Sequence, residues 1–217
     1  MALSLYGHPF SSYTWKALIA LWENGTEFTF KSMEEPGVFD ECKALWPTGR
    51  FPVLADGGKA IFETSVIIEY LQAFHPGPVT LIPADPAAAI EVRMLDRVFD
   101  LDVMANMQAK VANALRPDDA KDPYGVAQSM EKLLLIYGWL DQRLAGRAWA
   151  AGDSFSLADC AAGPSLLYAD WVLEIPERFA TLRAYRAKVL ARPSVKRAVD
   201  EARPYRSYFP LGAPDRD

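Results

Sequence analysis

Three short segments hold the residue types with chemical options. Ser11-Ser12-Tyr13 puts two hydroxyls and a phenol just after a short apolar run, and Tyr6 ends that run. A serine at a helix start caps it by accepting a backbone N–H. A serine hydroxyl or a phenol also donates a hydrogen bond to an anion. Glu63-Thr64 opens a second apolar-periodic stretch. The free N–H groups and partial positive charge of a helix N-terminus bind carboxylates, so Thr64 either caps that helix or holds an anion there. Arg50-Phe51-Pro52 lies between the two. Arg50 is a cation for a carboxylate or a solvated surface residue. Pro52 opens a strand and removes one ladder hydrogen bond. About 5–6% of X-Pro bonds are cis in folded proteins, so the residues alone favour trans.

The elements that position these segments follow from periodicity. Residues 2–6 read as a strand, with Ala2 at its start. Ser11 to Asn24 has helical spacing, with Trp15, Leu18, Ile19 and Trp22 on one face. Glu27 to Lys31 alternates as a strand. Gly37 to Leu45 reads as a short irregular helix. Val53 to Ala55 and Ala60 to Phe62 flank Asp56-Gly57-Gly58, a hairpin signal whose extra glycine is expected to lengthen the loop. Lys59 reads as hairpin surface. Thr64 to Phe74 is a second long helix. Residues 75–86 carry Pro76, Pro78, Pro83 and Pro86, which marks a boundary. Strand signals nearly vanish beyond it.

Ile90 to Asn113 reads as one long amphipathic helix, and Gln128 to Leu144 as another. Ser156-Leu157-Ala158-Asp159 matches a capping box worth roughly 1 kcal/mol, with Asp159 structural, and Pro164 predicts a kink in the helix that follows. Two shorter helices fall near Phe179 to Leu190 and Ser194 to Glu201. The expected organisation is an α/β thioredoxin-like domain over residues 1–76, a linker over 77–86, and an all-α helical bundle over 87–217.

Composition excludes several functions. The net charge of −5 argues against a nucleic-acid surface. Two cysteines, Cys42 and Cys160, build no disulfide framework. With His8 and His75 far apart, no metal site is expected. The first residues lack a signal-peptide pattern and no apolar run is long enough for a membrane helix, so a cytoplasmic location is expected.

Four segments in order resemble the cytosolic glutathione transferases, in a bacterial, serine-type form with a zeta/theta-like N-terminal segment. Ser11-Ser12-Tyr13-Thr14-Trp15-Lys16 is similar to the Ser-Ser-Cys-Ser-Trp-Arg of the zeta class. Residues 47–54, Pro-Thr-Gly-Arg-Phe-Pro-Val-Leu, resemble Asn-Pro-x-Gly-Lys-Val-Pro-Val-Leu. Residues 63–71, Glu-Thr-Ser-Val-Ile-Ile-Glu-Tyr-Leu, resemble Glu-Ser-x-Ala-Ile-x-x-Tyr-Leu. Ser156 to Asp159 stands where the family caps a helix. Trp46 departs from the usual Asn. Tyr13 replaces a cysteine of the zeta and beta classes, which lowers the case for disulfide chemistry.

The resemblance implies a site for glutathione as co-substrate, with no other cofactor. Thr64 would bind the γ-glutamyl carboxylate and Glu63 would face the α-ammonium. A cis Phe51-Pro52 bond would turn the Phe51 backbone toward the cysteinyl part. Arg50 would meet the glycyl carboxylate. Ser11 would donate to the sulfur, with Ser12, Tyr6 and Tyr13 as rivals. A thiol near pKa 8.5 is only about 3% thiolate at pH 7. Lowering it about two units raises that roughly 25-fold, and the loss of nucleophilicity returns roughly 8-fold, leaving about threefold. Most acceleration must then come from positioning.

A small hydrophobic electrophile would sit between the domains, against Phe10, Tyr13, Met104, Met107, Tyr168 and Trp171, several of which are equally well explained as core. The tail from Tyr205 to Phe209 either folds over that site or packs on the surface. The resemblance also implies a homodimer and a detoxifying transferase. The alternatives are a glutathione-dependent isomerase, peroxidase or dehalogenase, and a non-catalytic glutathione-binding or assembly protein.

Overall fold

A computed structural model describes residues 3–217; Ala2 lies outside the described residues. Strand β1 (Leu3–Gly7) buries Leu3, Leu5 and Gly7 on alternate positions. It pairs in parallel with β2 (Phe28–Ser32) and antiparallel with β3 (Val53–Asp56), and β4 (Lys59–Ile61) completes the order β2-β1-β3-β4. A parallel pair needs a crossover, and α1 (Ser12–Glu23) supplies it. Helices α2 (Val38–Leu45) and α3 (Thr64–Phe74) complete this part.

The hairpin corrects one expectation. Asp56 pairs directly with Lys59, so the turn has only two central residues, Gly57 and Gly58, at φ +54° and +87°. The second glycine does not lengthen the loop. It supplies the second positive φ that a tight primed turn requires.

The rest is helical: α4 (Pro86–Arg97), a π-helical segment (Val98–Met104), α5 (Ala105–Ala114), α6 (Pro123–Arg143), α7 (Leu157–Val172), α8 (Ala180–Leu190), α9 (Pro193–Ala202) and a 3₁₀ segment (Arg203–Tyr208). The architecture is a thioredoxin-like α/β part followed by a helical part. Helix α7 continues on both sides of Pro164 and is buried except at Trp171. The single helix expected over 90–113 is instead α4 and α5 with seven π-helical residues between them. A π segment bonds i→i+5, which changes which side chains face a given direction.

Helix α1 joins the two parts because residues 14–21 are all buried, with apolar side chains facing both sides. Ala17, Leu18 and Leu21 pack with Leu5 and Leu54 of the sheet. Trp15, Ile19 and Ala20 enter the helical core. A helix with apolar residues on two faces buries one against each neighbouring layer.

A charged cluster crosses the same junction. Lys16 of α1, only 1% exposed, ion-pairs with Asp96, lies 2.7 Å from Asp100 and donates to Ser65 Oγ at 2.9 Å. Arg97 donates to Asp96 and Asp100, each at 2.7 Å. Two cations against two carboxylates leave the cluster neutral, which is the condition for burying charges. Burial nevertheless holds the Asp100 carboxyl above its ordinary range. Among the described residues, no helix is long and apolar enough to cross a membrane.

Candidate active site

A cleft of about 810 Å³ opens between the α/β part and the helical part. Helices α1 and α3 both point their N-termini at it, and neither has an acidic residue in its first turn. Ser11, Ser12, Tyr13, Arg50, Phe51, Pro52, Glu63 and Thr64 all line it. Segments about forty residues apart in sequence therefore meet at one surface.

Ser11 is the N-cap of α1. Its Oγ accepts the Thr14 N–H at 3.3 Å. That bond uses a lone pair and leaves the hydroxyl proton free to donate. Capping and donation to a ligand are thus compatible. Tyr13 lines the cleft, and partial burial and the Asp100 charge push its phenol up to about 12. It stays protonated near neutral pH and acts as a donor, not a base. Tyr6 is not among the lining residues, and its hydroxyl is turned to Glu41 at 3.3 Å.

The start of α3 is strained and uncapped. Glu63 has φ +63°, the one non-glycine residue described with positive φ, and makes no side-chain cap bond. Such a backbone costs on the order of 1–3 kcal/mol and tends to persist where function needs it. The α3 N-terminus has no side-chain cap among the described residues, and Thr64, its first residue, is buried and lines the cleft. The Phe51-Pro52 bond is cis, and among the described residues no turn or loop bond uses the Phe51 N–H or C=O. Arg50 is exposed at the rim with no ion pair among the described residues.

The helical wall departs from expectation in two places. Met107 and Tyr168 line the cleft with Phe10, but Met104 and Trp171 do not. Met104, the last residue of the π segment, is buried in the helical core. Trp171 stands behind the wall, packed on Phe209 at 5.3 Å and on Phe10 at 6.3 Å between ring centroids. Tyr168 donates to the Phe10 carbonyl at 2.8 Å and so closes the two parts against each other.

The pattern of these elements has counterparts. Residues 5–79 match the family model "Glutathione S-transferase, N-terminal domain" and residues 103–193 match "Glutathione S-transferase, C-terminal domain". Glutathione S-transferase 2 of Saccharomyces cerevisiae is 31% identical over 70% of this chain and 68% of its own length. The chain belongs to the glutathione S-transferase family. The crystal structure of a glutathione S-transferase from Methylobacillus flagellatus with GSH bound is 28% identical, with a TM-score of 0.82 over 91% of this chain and 98% of that one. FtsZ-localized protein A of Caulobacter vibrioides is 28% identical over 88% of this chain and 87% of its own length.

Against that family background, several lining residues of this transferase were not anticipated. Trp46 and Phe62 stack at 4.3 Å between centroids beside Arg50. Arg97, Asp100, Leu101, Gln108, Val111 and Leu115 line the helical side. Leu101, Gln108, Val111 and Leu115 fall at helical spacing, but spacing alone does not say which face meets a cleft. Tyr208, Phe209 and Pro210 line the far rim, so the tail does fold over the site.

Proposed function

We propose that this transferase binds glutathione extended across the cleft and activates its thiol for attack on a small apolar electrophile. We read residues 1–76 as the glutathione-binding unit, 77–86 as the linker and 87–217 as the unit for the second substrate. The γ-glutamyl carboxylate sits on the uncapped N-terminus of α3 at Thr64, with Glu63 facing the α-ammonium. The Phe51 backbone pairs with the cysteinyl unit, and Arg50 meets the glycyl carboxylate. Ser11 donates to the sulfur, making this a serine-type enzyme. The thiolate forms the new C–S bond, and the leaving group departs with its electron pair. Phe10, Tyr13, Met107 and Tyr168 supply the apolar wall for the electrophile. The reading extends to a cytoplasmic homodimer in a detoxifying role.

One observation carries the reading: a serine hydroxyl at one helix N-terminus and a second helix N-terminus with no side-chain cap line the same cleft. Isothermal titration with glutathione tests it. Thr64→Ala should weaken binding about tenfold, as expected for a lost hydrogen bond to a charged group. Equal affinity for wild type and variant would remove Thr64 from the site.

A second reading rests on the FtsZ-localized relative. On that reading the cleft holds glutathione without activating it, and the chain acts as an assembly partner. Binding with no fall in the thiol pKa of the bound tripeptide would favour it.

A further inference from the structure

Glu34 joins two regions far apart in sequence. Its Oε1 lies 2.7 Å from His8 Nε2, and its Oε2 accepts the Tyr208 hydroxyl at 3.2 Å. His8 stands just before the Ser11 loop. Its Nδ1 accepts the Phe10 N–H at 3.0 Å, and its carbonyl accepts the Ser11 N–H at 2.9 Å. Because Nδ1 is an acceptor, the neutral ring carries its proton on Nε2 and donates it to Glu34. On the other side, Tyr205 and Tyr208 pack on the His8 ring at 5.0 and 5.8 Å between centroids. Tyr208, Phe209 and Pro210 then form a wall of the cleft. Phe209 is buried against Tyr168 and Trp171.

We propose that Glu34 is a positioning residue that couples closure of the 203–210 strap to the shape of the Ser11 loop, and thereby limits the size of the electrophile accepted. One carboxylate takes a donor from each side. With the strap closed, Tyr208 and Phe209 occupy space beside the electrophile. With it released, the wall retreats and the His8 ring loses two aromatic neighbours. The ring is then freer to move, and the Phe10 N–H it accepts loosens with it. This hydrogen bond is exposed, and one of about 1 kcal/mol shifts an open–closed equilibrium by about fivefold. The size limit rests on the transferase reading of the cleft. The coupling does not.

The test uses the full chain without ligand. Amide hydrogen exchange is followed at Phe209 and Gly212, whose N–H groups bond to Arg206 and Phe209, and at Phe10 and Ser11. Tyr208→Phe should speed exchange about fivefold in the strap and, through the released His8 ring, at Phe10 and Ser11. Glu34→Ala should do so in the strap and in the loop. Turnover of a small and a bulky aryl halide with glutathione is then compared. In both variants the kcat/KM ratio of bulky to small should rise about fivefold, chiefly through KM. Unchanged strap exchange in both variants overturns the latch. A looser strap with unchanged Phe10 and Ser11 amides overturns the coupling. A looser strap with an unchanged ratio overturns the size limit. If neither halide turns over in wild type, the transferase reading fails, and the exchange data still decide the coupling.

Discussion

Removing the Ser11 hydroxyl should raise the pKa of enzyme-bound glutathione by about one to two pH units and cut turnover about 10- to 100-fold. The first figure converts a charge-assisted hydrogen bond of about 1.5–3 kcal/mol at 1.36 kcal/mol per unit. The second reflects the loss of a donor aimed at the reacting anion, together with looser placement of the sulfur. The sign follows from which form the donor favours. A hydroxyl that donates to sulfur stabilises the thiolate, so its loss favours the thiol and the pKa rises. The deficit should therefore shrink as pH is raised toward the pKa of the free tripeptide.

Ser11 also caps α1, so Ser11→Ala loses about 0.5–2 kcal/mol of stability as well. Ser11→Gly separates the effects, because glycine at a cap costs only a few tenths of a kcal/mol relative to serine, roughly, and carries no hydroxyl. A thiol pKa raised equally in both variants assigns the effect to the hydroxyl. The readout is the thiolate absorbance of the bound tripeptide across pH. If both Ser11 variants match wild type and Ser12→Ala does not, the donor is Ser12, which lines the same cleft.

Asp159→Ala should cost about 3–5 kcal/mol of stability and lower Tm by roughly 10 °C or more. Asp159 is wholly buried at the third position of α7. Its carboxylate accepts the Ala150 N–H, the Ser156 N–H, the Ser156 hydroxyl and the Tyr185 hydroxyl. Burial holds its carboxyl above the ordinary range, and these hydrogen bonds pull it part of the way back. Alanine leaves buried donors without an acceptor, which is why the loss exceeds that of a helix cap alone. Asp159→Asn keeps the shape and one acceptor oxygen, and should fall between the two. The residue sits nine positions before Tyr168, about 13 Å along the helix. Glutathione affinity should therefore be unchanged where the variant is folded. Chemical denaturation and calorimetry supply the first comparison, and ligand titration the second. A loss below about 1 kcal/mol would show that the donors find other partners.

Both predictions rest on features that were legible in the sequence, and for the same reason. The cap at Ser11 and the box from Ser156 to Asp159 are local, made between residues three apart. The Asp56 to Lys59 turn is local as well, apart from the exact loop length. Local geometry depends on residue type and spacing, and these are written in the chain.

What spacing left open falls where distant elements meet. Met104 and Trp171 have suitable residue types and helical spacing, but Met104 packs in the helical core and Trp171 packs on Phe10 and Phe209, outside the cleft lining. The Lys16 cluster spans eighty-four positions from Lys16 to Asp100, and the Glu34–Tyr208 bond spans one hundred and seventy-four. No spacing rule reaches that far. For Phe51-Pro52, residue statistics favoured trans and only the family likeness pointed to the cis bond found. The chain by itself determined most of the elements, the caps at Ser11 and Ser156, and which segments carry hydroxyl donors. The tertiary structure alone decided which faces meet, because that choice follows from burying α1 on every side between the sheet and the helices.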